Sequence, residues 1–422
     1  MPHNHHMIQQ QNFEIQFEQF SDGIGIQNEI KDLFYEKLLP RAEQLFNEIA
    51  GEKYRVSIEK LEIDCGLLSG KYWQEELVEE TLRQLRRELV ISEKKEIKNL
   101  PITQGTGAAD TFDSFLFFLE KGYLAWNSHI NSIKELEISI SENVKRNSNY
   151  LEKIKSLYKK KPFVVDRLLY NFSDTFFLNL MEQLAGNKQE QLQKIYLLLD
   201  ESKLTNSEKH VAHCLLFKTF SENPANAELF YSSITASIIT AEKEKQLKKV
   251  NNREDIDFVY VENAGLVLLH PFLRELFQKL ELWVDKQWKD NYSQHLAVHV
   301  LEYLISGHEN SPEFNLPLNK ILCGMNILEV LQPVRELPSG VKEECELLLQ
   351  ELIHHWSILK NTSITGLRET FLQRNGKISP VDKGWLLNVE QKGVDVLLNS
   401  LPWGIGVIKL PWNATTIFVE WI

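Results

Sequence analysis

The chain has 422 residues, 43 % hydrophobic and 25 % charged, with a formal net charge of −12. That length exceeds one ordinary core and sets an expectation of two or three domains, and the composition excludes large-scale disorder. The acidic balance excludes a nucleic-acid surface as the main activity, because phosphate binding needs a concentrated cationic patch; the run Lys159-Lys160-Lys161 reads as a solvated helix end.

The first six residues, Met1 to His6, are polar and read as a frayed terminus rather than a metal site. Phe13 to Glu18 alternates apolar and polar, the pattern of a half-buried strand. Helical spacing follows from Ile26 to Ile49, with Pro40 placed to kink or split it. Tyr54, Val56 and Ile58, continuing to Leu61, Ile63 and Cys65, predict a second strand or hairpin arm, and Trp73 to Val90 an amphipathic helix. The expectation for residues 8–92 is a small strand-helix-strand-helix domain.

Residues 93–111 read as a linker. Their Gly105 and Gly107 lack the lysine-threonine or lysine-serine ending of a phosphate loop. Residues 112–252 read as a stack of short helices without a clean repeat: Phe112 to Trp126, Ile133 to Val144, Leu151 to Leu157, Phe163 to Leu184 and Leu192 to Leu199. Residues 253–422 read as a helical domain closed by short strands. It opens on the apolar run Ile256 to Val261, continues through helices near Phe277, Ala297 to Ile305 and Cys345 to Trp356, and ends on β-like runs around Trp385 to Val389 and Ile417 to Trp421. Ser363 and its neighbours read as a helix N-cap, and Arg374 to Lys377 as a turn, since Asn-Gly tolerates positive φ. The fold class is therefore α+β, predominantly α-helical.

Chemistry is sparse. The four cysteines, Cys65, Cys214, Cys323 and Cys345, lack metal-ligand spacing with one another and fit a reducing compartment. No leader and no apolar span of about 18 residues is visible, so a cytoplasmic chain is expected. His295 and His299 stand at the i, i+4 zinc spacing. The glutamate of a zincin helix is missing after the first, so the pair reads as structural, as do His210 with His213 and His354 with His355. His213 and Cys214 are sequence neighbours whose side chains diverge on a helix. No cysteine has a convincing local histidine partner, and no Gly-x-Ser-x-Gly occurs. Glu351 with Glu369 or Asp395 would make an acid-base pair only by chance among 59 acidic residues. No catalytic residue, cofactor or metal ligand is assigned. The residues singled out are anchors: the indoles Trp385, Trp403, Trp412 and Trp421, and the turn His270-Pro271-Phe272.

Five runs, in order, carry a resemblance: Glu262 to Leu273 (ENAGLVLLHPFL), Leu318 to Gly324 (LNKILCG), Trp356 to Ser363 (WSILKNTS), Arg368 to Arg374 (RETFLQR) and Leu401 to Gly404 (LPWG). Together with Leu61 to Gly66 (LEIDCG), they resemble the contractile injection system tape measure protein family across roughly residues 8–90 and 255–422. The resemblance implies a non-enzymatic component of a bacterial phage-tail-like particle, present in the cytoplasm during assembly and then inside the particle, that sets inner-tube length. Its implied partners are the inner tube protein, the baseplate hub or spike and a tube-terminating cap, with no nucleic acid and no membrane span. The alternative is a chaperone or adaptor that binds tube, baseplate or cargo. A delivered hydrolase is the third and least supported reading. A ruler of 422 residues as one helix would reach on the order of 630 Å; recurring prolines, β-like ends and 9 tryptophans that demand burial predict compact domains instead.

Overall fold

The computed structural model describes residues 23–49, 63–66, 73–99, 107–125, 128, 130, 132–146, 149–201, 204–222, 256–334 and 336–421. The chain divides into two compact units, residues 1–105 and 106–422. The expected strand at Phe13 to Glu18, most of the second arm, Gly105 of the linker and residues 223–255 lie outside the described residues.

In the first unit, α1 (Gly23–Leu33) runs through a widened π-turn (Phe34–Leu38) into α2 (Leu39–Ile49), which packs on α3 (Trp73–Asn99). Pro40 does perturb the helix, but as a bulge rather than a break. The Leu39 N–H reaches back to the Phe34 carbonyl just before the proline, which has no N–H to offer. Leu33, Leu38 and Val78 form one buried cluster, and Ala42, Leu45 and Leu85 another. The described part of the second arm, residues 63–66, is no strand. The Gly66 N–H bonds the Asp64 carboxylate at 2.9 Å, with Gly66 at φ 64°, a turn that side-chain competition for the backbone favours.

The second unit begins with helices: α4 (Gly107–Lys121), α5 (Ile133–Arg146), α6 (Asn149–Lys160), α7 (Val164–Asn171), α8 (Asp174–Ala185), α9 (Gln189–Glu201) and α10 (Asn206–Glu222). Their apolar stripes meet in one core rich in phenylalanine, with Phe112, Phe115, Phe118, Phe176, Phe177, Phe217 and Phe220 all buried. The single helical run expected from Phe163 to Leu184 is two helices. Ser173 caps the second, its hydroxyl accepting the Phe176 N–H at 3.2 Å.

A second core follows. It is built from β1 (Val259–Val261), a 3-10 turn (Ala264–Leu269), α11 (His270–Lys279), the hairpin β2 (Trp283–Val284) and β3 (Gln287–Trp288), α12 (Asn291–Ser306), α13 (Pro317–Leu322), α14 (Ser339–His355) and α15 (Ile364–Leu367). Ser363 caps α15 as expected, accepting the Gly366 N–H at 3.0 Å. The strands β4 (Gly376–Val381), β5 (Gly384–Val389), β6 (Val407–Ile408) and β7 (Thr416–Glu420) join β1 in a sheet of order β1-β4-β5-β7-β6. Neighbours are antiparallel except β5 and β7, which run parallel across a 3-10 connection (Gly393–Ser400). One row of the sheet, Val259, Ile378, Leu387 and Val419, is buried against the helices, as the two-residue period requires. The turn expected at Asn375-Gly376 is corrected: Gly376 opens β4, and the chain reverses at Asp382-Lys383 instead. A Cβ on Gly376 would lie 2.7 Å from the Ala264 side chain, so this glycine serves close packing rather than positive φ.

Candidate functional site

The five runs that carry the family resemblance meet in the second core. Ala264 N–H bonds the Arg374 carbonyl at 2.8 Å, and a Cβ on Gly265 would lie 1.8 Å from the Phe371 carbonyl oxygen, so the first and fourth runs touch backbone to backbone. Asn263 donates to the Asn319 amide oxygen at 2.8 Å, joining the first to the second. The Trp356 ring lies 4.8 Å from that of Phe371, joining the third to the fourth. Trp403 donates to the Leu268 carbonyl at 3.1 Å, which brings the fifth onto the first.

The anchor residues occupy separate seats in that core. Trp403 meets Phe272 edge-on at 5.1 Å, beside His270, whose Nδ1–H donates to the Val267 carbonyl at 2.9 Å. Burial holds His270 below the ordinary histidine range, so the ring is neutral and its bond needs the Nδ1–H tautomer. Pro271 is exposed in the first turn of α11. Trp412 donates to the Leu322 carbonyl at 2.7 Å and packs within 5.4 Å of Trp283, Trp288 and Phe277. Trp421 donates to Asp395 at 3.1 Å, under the guanidinium of Arg374, which itself bonds Asp395 at 2.7 Å. Trp385 is buried within β5. Among the described ring contacts no two of these four indoles touch. Asp395 is committed to Arg374, Trp421 and the Lys392 N–H, which leaves it no part in an acid-base pair with Glu351.

Three polar clusters escaped sequence reasoning in whole or part. The first joins the two cores of the second unit. Arg167 of α7 and Glu313, at 3.2 Å, are both buried, and Lys320 of α13 completes the cluster. Arg167 also donates to the carbonyls of Leu119 and Leu328, and Lys320 to those of Ile327 and Glu329. Burial alone would raise the Glu313 carboxyl, but the two cations beside it hold it below the usual range; burial lowers the Lys320 ammonium against the pull of Glu313. Gly122, at φ 81°, leaves the room, since a Cβ there would lie 2.8 Å from the Arg167 guanidinium.

The second cluster is the pair His295 and His299, expected to be structural. Both grip one residue: the Gln332 N–H donates to His295 Nδ1 at 3.2 Å, and His299 Nε2–H donates to the Gln332 carbonyl at 2.9 Å. Desolvation, with Lys320 nearby, pulls His295 down to about 4.

The third cluster corrects the expectation that no cysteine has a histidine partner. His210 Nε2 lies 2.7 Å from Asp166 Oδ1, and Cys214 Sγ lies 3.6 Å from each of those atoms. His213, the sequence neighbour, instead packs among Phe177 and Tyr196. The His-x-x-x-Cys spacing was present in the sequence; Asp166, 44 positions away, was not locatable from it.

Comparison with known families matches residues 5–421 to Contractile injection system tape measure protein. The chain belongs to the contractile injection system tape measure protein family. The match to the tape measure family takes in the helical middle, where no motif had been legible, as well as both ends. Neither the curated proteins nor the solved structures gave a match. Family membership supports a structural role for this chain, and no helix among its described residues is long and apolar enough to cross a membrane.

Proposed function

We propose that this chain is a non-catalytic assembly protein of the injection system that works as a folded body, docking on the inner tube, the baseplate hub or spike and the terminating cap while tube length is set. One observation carries the reading. The longest described helix, α3, has 27 residues and spans about 40 Å, and the helices of the second unit are shorter and packed into closed cores. A ruler that works by extension would have to give up those cores. The polar groups with chemical potential are mostly committed internally: Glu313 to Arg167 and Lys320, Asp395 to Arg374, His295 and His299 to one backbone residue. Exposed apolar side chains remain on the C-terminal half, Ile358, Val396 and Val407, each more than half exposed, as material for protein contacts.

The same compactness favours a second reading, a chaperone or adaptor that leaves before the particle is finished. Electron microscopy of particles from strains with internal deletions in residues 112–249, together with the protein content of purified particles, separates the possibilities. A docking component gives all-or-none loss of particles and stays with finished ones. A chaperone gives the same loss and is absent from them. Particle lengths that shorten in proportion to the deletion would overturn the folded-body reading in favour of an extended ruler.

A further inference from the structure

α10 places His210 and Cys214 one helical turn apart, so both side chains project from the same face. That face packs on α7, which supplies Asp166. One nitrogen, one sulfur and one oxygen thereby lie within 4.8 Å of one another. The His210 and Asp166 side chains keep 13 % and 19 % of their surface in water, so the cluster is lined by protein yet reachable from solvent.

A Cys-His-Asp relay would set the thiol and the carboxylate on opposite nitrogens of the imidazole. Here Asp166 and Cys214 both face Nε2, so the aspartate does not orient the ring for proton transfer from sulfur. Three donors around one point is instead the geometry of a cation site. Tetrahedral zinc, with bonds of about 2.0–2.1 Å to nitrogen or oxygen and about 2.3 Å to sulfur, holds a nitrogen and a sulfur ligand about 3.6 Å apart. Both sulfur separations here are 3.6 Å. The nitrogen and oxygen are closer, at 2.7 Å, because a proton lies between them. Tyr170 stacks on the imidazole at 4.3 Å and 18°, which fixes the ring plane that contains Nε2.

We propose that Asp166, His210 and Cys214 bind one zinc-class transition-metal ion between α7 and α10. A thiolate and an imidazole beside a single carboxylate select such an ion over calcium or magnesium. On binding, the Cys214 thiol releases its proton to solvent and coordinates as thiolate. The His210 proton moves from Nε2 to Nδ1, freeing the Nε2 lone pair, and the nitrogen and oxygen separate by about 0.6 Å to admit the ion. Solvent access leaves room for a water as fourth ligand. The ion would pin α7, which carries Arg167, to α10.

The test uses the full chain with His3, His5 and His6 replaced by alanine, which removes the other histidine-rich stretch. The chelator-stripped protein is titrated with Co(II) and then with Zn(II). Expected are a sulfur-to-cobalt charge-transfer band that saturates at one equivalent and is displaced by one equivalent of Zn(II), and a thermal midpoint raised by Zn(II). Cys214→Ser abolishes the band, and Asp166→Asn weakens Zn(II) binding at least about tenfold. Absence of saturation at one equivalent, or a band that survives Cys214→Ser, overturns the proposal. Circular dichroism of the metal-free variants checks folding. If Cys214→Ser does not fold, His210→Gln and Asp166→Asn decide, and wild-type affinity in both would sink the site.

Discussion

Arg167 and Glu313, 146 positions apart in the chain, face each other at 3.2 Å with neither side chain appreciably exposed. With Lys320 they hold the helical core and the sheet-bearing core of the second unit as one body. Removing one member leaves the others buried without compensation, at a cost of roughly 3–5 kcal/mol. Glu313→Gln keeps the shape and deletes the charge, and its expected loss is in that range by chemical denaturation. A variant as stable as the wild type would show that the cluster does not hold the cores together.

The paired histidines predict an acid limit. His295, held at about 4, stays neutral in the folded protein while its unfolded counterpart, with an ordinary value near 6.5, takes up a proton. Stability from this group is therefore complete above pH 6.5 and falls as pH drops toward 4, by on the order of 3 kcal/mol in all. His213, His270 and His299 are shifted the same way by burial and add to the slope. Denaturant midpoints are expected to decline between pH 7 and 5.5, before most carboxylates titrate. A flat profile over that interval contradicts the assignment.

Two glycines give opposite outcomes. Gly265→Ala would place a methyl 1.8 Å from the Phe371 carbonyl oxygen and 2.6 Å from the Leu372 Cα, both backbone, and should cost roughly 3 kcal/mol or more. Gly340→Ala, in the first turn of α14 with open space around it, should be neutral or stabilise by up to about 1 kcal/mol. Thermal unfolding of the two variants against wild type provides the comparison.

The hairpin between β2 and β3 turns on Asp285 and Lys286 at φ 50° and 63°, a conformation that asparagine and glycine adopt more easily. Lys286→Gly is expected to stabilise by about 1 kcal/mol, because the left-handed strain on a Cβ is relieved. An unchanged or lowered midpoint would mean that the lysine is not strained there.

Trp421→Phe removes an indole bond to the Asp395 carboxylate and weakens the stacking of Arg374. The expected cost is about 2 kcal/mol, since hydrogen bonds to charged groups are worth more than neutral ones. Trp403→Phe, whose indole bonds only a carbonyl, should cost less, about 1 kcal/mol. Equal losses would show that the carboxylate does not strengthen the Trp421 bond.

The sequence by itself determined the periodic part of this protein. The helices of the middle and of residues 253–422, the strands around Trp385 and Ile417, the Ser363 cap and the need to bury nine indoles all follow from local spacing, because a helix or strand must turn its apolar residues to one side. The five runs also carried the family resemblance without any knowledge of where they lie. Only the tertiary structure decided what those sides meet. Arg167, Glu313 and Lys320 each look in sequence like ordinary surface charges, since burial of a charge leaves no periodic trace: Arg167 meets Glu313 across 146 positions, and Lys320, only 7 positions from Glu313, shows no local sign of its burial. The same holds for Asp166 opposite His210 and Cys214, and for Gly376, where the local Asn-Gly pair favours a turn but the Ala264 side chain packs close against a strand residue. Local propensity is written in short-range order, whereas a buried polar contact is a long-range coincidence that exists only once the chain has closed on itself.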